Sequence, residues 1–395
     1  MPWRTDARHP CSCPPALSRT PATPAPGPLL SWQIAVVGAG PAGLAFSTTA
    51  ARRGHQTTLF EASAHIGGQF NLAKQVPGKE EFYETLRYFA HELAATGVDL
   101  RLSKRVDAEM LLGEGFDCAV LATGVTPRVL NIAGEDHPSV VSYVDVLTRA
   151  KPVGERVAVI GAGGIGFDVG EFLAHRADML PPAPVENGAA DPAVDALLGG
   201  GAASTPRTWP DHAAFMRQWG IDPENSSRGG LLRGGAAAPA DGGAPHEGRK
   251  VYLLQRTRGK HGSGLGKTTG WIHRATLKQA GVEMIGGLEY VGVDDSGLHV
   301  LEGKEKTPRL LEVDTVVVCA GQLSEASLEQ PLTNGGMRTF KIGGAHLAAE
   351  LDAKRAIDQA TRLAATIETA SPDKVGELVA PLGAAGWLFQ KLAKR

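Results

Sequence analysis

The sequence predicts an α/β chain of two similar lobes, the second inserted in the first, and three observations carry that reading. Val36–Ser47 reads VVGAGPAGLAFS and Val159–Leu173 reads VIGAGGIGFDVGEFL, so one glycine-rich turn recurs, each time between a short apolar strand and a helix. Each turn opens a run of further strand and helix signals in βαβ order. The apolar runs ending in Ala122-Thr123-Gly124 and Ala320-Gly321 read as strand ends where the chain crosses between the lobes. Each lobe has the strand, glycine turn and helix of a Rossmann-like dinucleotide-binding domain.

Residues 1–32 are proline-rich and read as a disordered tail or linker, with weak organellar targeting as the alternative. From Gln33 the run IAVVG is a buried strand, the glycine turn leads into a helix to about Arg53, and TTLFE at 57–61 is the second strand. PGKEEFYETLRYFAHELAATG at 77–97 is an amphipathic helix, with Phe82, Leu86, Phe89 and Leu93 at helical spacing and a glycine stop. DLRLSKRV and DCAVLATG supply further strands.

After Ala150 the pattern restarts with RVAVIG, a glycine turn and a helix to about Arg176. The next strand, KVYLLQR, arrives only at 250–256, so 178–248, rich in Ala, Gly and Pro, reads as an irregular insertion with a helix near 212–221. A helix at 270–281, short strands at 283–301, the buried strand TVVVCAG at 315–321 and a strong helix at 350–367 complete the pattern. The expected domains are 33–150 plus 322–370 for the first, 151–321 for the second, and a basic amphipathic tail at 371–395 that packs on its own domain.

Composition limits the partners. The chain has 395 residues, 43% hydrophobic and 21% charged, which suits two or three soluble domains. Its 40 basic and 42 acidic residues leave a formal charge of -2, which gives no footing for nucleic acid or anionic membrane. No apolar run approaches the roughly 20 residues that span a bilayer. Cys118 and Cys319 sit in apolar strand-like runs, so a disulfide framework is not expected and a reducing, cytoplasmic setting fits.

The glycines point to two different ligands. In the first turn Gly38 permits the tight turn, Gly40 lets a pyrophosphate approach the backbone, and Gly43 allows close helix packing. Glu61 ends the next strand, placed to accept hydrogen bonds from an adenosine ribose. The second turn, Gly161, Gly163, Gly164 and Gly166, lacks that carboxylate. Its following strand ends in Gln255-Arg256-Thr257-Arg258-Gly259-Lys260, and guanidinium groups favour a 2′-phosphate, hence NADPH. Two dinucleotides on one chain imply a flavin and a nicotinamide coenzyme, between which hydride passes while the protein orients the rings.

Other motifs carry less. Gly266-Lys267-Thr268 has His261 where a phosphate-binding loop needs its first glycine, and no strand directly precedes it. Cys11 and Cys13 cannot supply four thiolates for a cluster, and the absence of any Cys-x-x-Cys excludes disulfide reduction by such a pair. His273 and His346 read as structural. No metal site and no side-chain acid, base or nucleophile is predicted.

The motifs GGQFNLAKQVPGKEEFYETLRYF (67–89), VIGAGGIGFDVGEFL, GLGKTTGWIHRATL (264–277) and IGGAHLAAELDAKRAID (342–358) resemble the C-terminal FAD and NADPH half of the bacterial-type NADPH-dependent 2,4-dienoyl-CoA reductases, which are iron–sulfur flavoproteins. The likeness runs from about Gln33 to about Ile367 and implies the disulfide-reductase-like, FAD/NAD(P)-binding architecture. In that family a barrel carrying FMN and the substrate site, then an iron–sulfur segment, precede these domains; neither has a counterpart in this sequence.

The resemblance implies an FAD site lined by Ala42, Glu61, Gln69, Lys79 and Val106, with Thr123 and Gly124 at the crossing and Gly343 and Gly344 against the ribityl chain. Where the family usually shows aspartate, this sequence has His346. The implied activity is an NADPH-dependent flavin oxidoreductase module of unsaturated fatty-acyl-CoA metabolism, passing electrons to a protein acceptor. FMN and an iron–sulfur cluster enter only if a partner or a missing barrel domain supplies their sites. The alternatives are dienoyl-CoA reduction by this chain or with a separate barrel protein, and a non-catalytic FAD/NADP-binding scaffold or sensor.

Overall fold

A computed structural model of the protein describes residues 31–175, 197, 216, 219–232, 248–348 and 352–378. The tail 1–30, most of the insertion, most of the helix expected near 212–221 and the end of the chain from 379 lie outside these residues.

The first lobe begins with β1 (Gln33–Val37), α1 (Pro41–Arg52), β2 (Gln56–Phe60), α2 (Phe70–Ala73), α3 (Glu81–Thr96), β3 (Asp99–Arg101), α4 (Ala108–Gly113) and β4 (Cys118–Leu121). The chain crosses along β5 (Val125–Pro127) to β6 (Val140–Ser142), α5 (Tyr143–Leu147), β7 (Arg156–Ile160), α6 (Gly164–Ala174), β8 (Lys250–Gln255), α7 (Gly270–Gln279) and β9 (Glu283–Gly286). An antiparallel meander, β10 (Leu288–Asp294), β11 (Gly297–Glu302) and β12 (Thr307–Leu311), precedes β13 (Thr315–Val318). The return crossing is β14 (Gln322–Ser324), followed by α8 (Glu329–Asn334), β15 (Arg338–Lys341) and α9 (Ala353–Thr366).

Two parallel five-stranded sheets result, ordered β15-β4-β1-β2-β3 and β6-β13-β7-β8-β9. Their central strands are short apolar runs because both faces are covered, by helices on the first sheet and by helices on one face and the β10–β12 meander on the other of the second: Ile34–Val37, Cys118–Leu121 and Val157–Ile160 are all buried. Helix α9 lays Ala356, Ala360, Leu363 and Ala364 into the core beside Leu44 and Ala45 of α1, so the C-terminal segment completes the first lobe. The predicted α/β architecture, with the second lobe between the strands of the first, is the one observed. Three local expectations change. The helix expected from 77 starts at Glu81, because Gly78 turns left-handed (φ 81°) and donates its N–H to Glu80 Oε1. The strand read from DLRLSKRV shrinks to three residues, and the short strands at 283–301 belong to two sheets.

The two crossings run side by side. β5 and β14 pair antiparallel, with Gln322 opposite Pro127 and Ser324 opposite Val125, just after Gly124 (φ 78°) and Gly321 (φ 107°). The lobes also meet through α2, whose Leu72 and following Val76 pack with Tyr143, Val146 and Phe167. Lys74 lies in this seam, only 7% exposed, with Nζ 4.7 Å from the centre of the Tyr83 ring. Burial pulls its ammonium down to about 8.

Both the tight turns and the buried lysine can be probed by substitution. An added Cβ at Gly43 or Gly166 would sit 1.9 or 1.7 Å from the carbonyl oxygen of Gly38 or Gly161. Gly43→Ala and Gly166→Ala should therefore cost about 1–3 kcal/mol or more, read as a fall in thermal midpoint, whereas Gly163→Ala, with nothing within 4 Å, should melt like the parent. The unfolded lysine titrates near 10.5 and the folded one near 8. Between those values the unfolded chain holds more protons and stability rises with pH. Lys74→Met should stabilise the protein at pH 7 by about 1–3 kcal/mol, and denaturant titrations should show that gap closing as pH climbs towards 10.

Candidate functional site

The two glycine turns are built by the same bonds. Gly38 N–H donates to the Phe60 carbonyl at 2.8 Å and Gly161 N–H to that of Leu254 at 2.9 Å. Behind each turn a third strand ends in direct contact: a Cβ at Gly38 would lie 2.5 Å from the Ala122 oxygen, and one at Gly161 2.4 Å from the Cys319 oxygen. Both glycines have left-handed φ, +104° and +114°, which only a residue without Cβ takes readily. The fronts of the turns are open. At Gly163 and Gly164 an added Cβ meets nothing within 4 Å, and at Gly40 it reaches only the Gly68 Cα at 4.0 Å. The N-termini of α1 and α6 therefore present free backbone N–H groups to open space, the arrangement a pyrophosphate needs.

Around the first turn the candidate residues converge. Glu61, just past β2, accepts the Ala39 N–H on Oε2 at 2.7 Å and both the N–H and Oγ–H of Ser63 on Oε1, at 2.9 and 2.6 Å, which locks the carboxylate beside the turn. Gly67 donates to the Ala39 carbonyl and Gly68 packs on Gly40, where a Cβ would be 3.0 Å from Cα. Gly343 abuts Ala42, and Gly344 abuts Gly124 and Val125; an added Cβ would come within 2.9 Å of the Ala42 Cβ and 2.8 Å of Val125 Cγ1. Thr123 Oγ–H donates to the Glu325 carbonyl, and Val106 is buried among Val37, Phe60 and Leu121 near the β2 end.

Two of the residues expected at the FAD site bond across to the second lobe. Lys79 Nζ makes an ion pair with Asp168 Oδ1 at 2.6 Å, joining the first lobe to α6 of the second. The Gln69 amide faces the second lobe, with Nε2 3.4 Å from the Tyr143 hydroxyl. The N–H of Gly343 is likewise taken, at 2.8 Å, by Oε1 of Gln359, a residue 1% exposed on α9. Gln359 Nε2 lies 3.3 Å from His346 Nδ1. Burial, helped by the nearby Lys341 and Arg355 charges, holds His346 below the ordinary imidazole range, so it is neutral at pH 7. His273 is tied to α6, 3.5 Å from Glu171.

The second turn has different company. Gln255 stands after Leu254 as Glu61 stands after Phe60, and its Nε2 donates to the carbonyls of Thr257 and Gly259, each at 3.0 Å. That amide shapes the loop from which Arg256 and Arg258 extend into solvent. Arg258 lies along the face of Gly287, where an added Cβ would be 2.8 Å from its Cγ. Neither arginine makes an ion pair among the described residues, so both guanidiniums are available to an anion.

Thiol and metal chemistry find little here. Cys118 is buried in β4 and Cys319 just past the end of β13 in the other sheet, and burial drives their thiols up, Cys118 to about 12. The described residues contain no cluster of His, Cys, Asp or Glu suited to a metal, and no helix long and apolar enough to cross a membrane.

Sequence reasoning passed over four residues of the site: Gln359, Asp168, Tyr143 and Gln322. Their partners are distant in sequence, and no local spacing marks them.

Among known proteins, the chain is 28% identical over 320 residues to the metal reductase of Desulforamulus reducens, covering 80% of this chain and 40% of that protein. It is 37% identical over 143 residues to the bilirubin reductase of Mediterraneibacter gnavus, covering 36% of this chain and 22% of the relative. It thus spans two fifths or less of the length of these relatives. A solved 2-naphthoyl-CoA reductase shares the fold with a TM-score of 0.64 at 20% identity, over 85% of this chain and 40% of that one. The family profile described as pyridine nucleotide-disulphide oxidoreductase matches residues 32–352. With that match over most of its length and two Rossmann-like lobes behind it, the chain belongs to the pyridine nucleotide-disulphide oxidoreductase family, whose members bind FAD and NAD(P).

Proposed function

We propose that this chain is an NADPH-dependent flavin reductase module, with FAD at the first glycine turn, NADPH at the second, and electrons leaving to an acceptor on another protein or domain. The observation that carries the reading is the difference between two otherwise matching turns: a carboxylate after β2, and after β8 a loop with two arginines that make no ion pair among the described residues. When bound, FAD and NADPH supply the hydride chemistry. The chain's own residues bind and orient. Backbone N–H groups at the starts of α1 and α6 face the pyrophosphates, and Glu61 keeps acceptor capacity for ribose hydroxyls. Arg256 and Arg258 meet the 2′-phosphate.

The Lys79–Asp168 pair and the β5–β14 ribbon hold the lobes together so that the two rings can meet. Neither described cysteine is placed for disulfide exchange, and no Cys-x-x-Cys occurs in the sequence. Electrons therefore go to something other than a redox-active pair among the described residues. The resemblance to the input half of 2,4-dienoyl-CoA reductases, and relatives that are longer proteins named as reductases, support a barrel protein or domain with FMN and an iron–sulfur cluster as that acceptor.

Anaerobic mixing with NADPH should bleach the yellow absorbance of the FAD-loaded protein; a spectrum that stays unchanged would overturn the reading. Replacing Arg256 and Arg258 together by alanine should raise KM for NADPH by about 10–100-fold and leave KM for NADH in place. Equal effects on both coenzymes would instead sink the assignment to the 2′-phosphate.

A further inference from the structure

A chain of three polar side chains, half-buried Gln69 and buried Tyr143 and Gln322, runs across the seam between the lobes. Gln69 comes directly after Gly68, which packs on the first glycine turn. Tyr143, 1% exposed, begins α5 of the second lobe, and its hydroxyl lies 3.4 Å from Gln69 Nε2 and 3.3 Å from Gln322 Oε1. Gln322 is 8% exposed and opens β14, three residues beyond Cys319, whose carbonyl backs the second turn. One strand away, β5 begins against Gly344.

Gln69 Nε2 donates to the tyrosine oxygen, and the tyrosine O–H has two acceptors in reach, Gln322 Oε1 at 3.3 Å and Gln69 Oε1 at 3.5 Å, of which the nearer directs it to Gln322. The far end of Gln322 is then an amide nitrogen, and that Nε2 is buried with no hydrogen-bond partner. Leaving such a donor unpaired costs about 1–3 kcal/mol, and an apolar residue of similar size would avoid that cost.

We propose that Gln322 Nε2 donates a hydrogen bond to the pyrimidine edge of the bound flavin, with Tyr143 as the positioning residue that fixes which end of the amide faces the ring. The assignment rests on the flavin reductase reading above. The flavin is chosen over the nicotinamide because the chain starts beside the first turn and because β14 and β5 run next to Gly344 and Gly124, the glycines gathered at that turn. The pyrimidine ring offers carbonyl oxygens as acceptors, and they become more electron-rich on reduction. A fixed donor there therefore stabilises the reduced form more than the oxidised one.

The test uses the full chain and three variants, with the flavin midpoint potential, the FAD dissociation constant and the thermal midpoint as readouts. Gln322→Leu should weaken FAD binding about tenfold, lower the potential and leave KM for NADPH unchanged. Without FAD, the same variant should melt at or above the parent, because the unpaired donor is gone. Tyr143→Phe should shift the potential in the same direction by less. Gln322→Glu should make the potential fall with pH more steeply than the parent's own proton-coupled slope through the introduced carboxyl's titration, an excess that a merely structural role would not give; it also serves if leucine prevents folding.

Parent-like potentials and FAD affinities in these variants, in a protein whose parent form NADPH bleaches, would overturn this contact while leaving the proposed function intact. A change confined to KM for NADPH would overturn it too, by moving the donor to the nicotinamide. A parent protein that holds FAD but is not bleached would instead fail the functional reading.

Discussion

Both halves of this molecule depend on one steric constraint: a strand-end carbonyl pressed against a glycine with no room for a side chain. Ala122 does this behind Gly38, and Cys319 behind Gly161. The contact draws the central strands so close to the turn that the following helix must pack through a second glycine, Gly43 or Gly166. With the rear sealed by backbone, the helix N-terminus can face only forward. The open front of each turn is therefore a by-product of packing, and the two lobes differ in the residues just past the neighbouring strand.

That division explains how much could be read in advance. Turn glycines, the carboxylate at Glu61 and the basic loop at 256–258 were legible because the physics acts over a few residues: φ sign, close approach, and charge at a strand end. The architecture was legible for the same reason, since buried parallel strands give apolar runs and the turns give their order. The left-handed turn at Gly78 shortened α3, a local effect hidden by an apolar pattern at helical spacing.

The relations between lobes were not legible. Lys79 is placed at the FAD site by the resemblance, and its ion pair with Asp168, 89 positions on, has no sign in the local pattern. Gln69 reads as a flavin contact, yet its amide reaches towards Tyr143 across the seam. Gln359 carries no signal at all; it is one polar residue on an amphipathic helix until the fold brings it to the Gly343 N–H. His346, conspicuous as a departure from the resembled pattern, has an ordinary partner in that same glutamine. Such pairs are set by tertiary geometry, which local periodicity does not encode.

The strand order of the first sheet bears on how the protein comes into being. β15 supplies the edge beside β4, with Arg338 opposite Cys118, and the loop after it brings Gly343 and Gly344 to the first turn. Most of what lies between those two strands is the other lobe, with α8 returning to pack on the first. On the ribosome, the early half must wait as an unfinished sheet with an unpaired flank until the later half has been synthesised. The intervening lobe can fold in the meantime and draw the distant ends together, sparing much of the loop-closure entropy. Assembly of the first cradle is thus a late event in the life of each chain, and that interval is when an exposed β4 edge is open to mispairing.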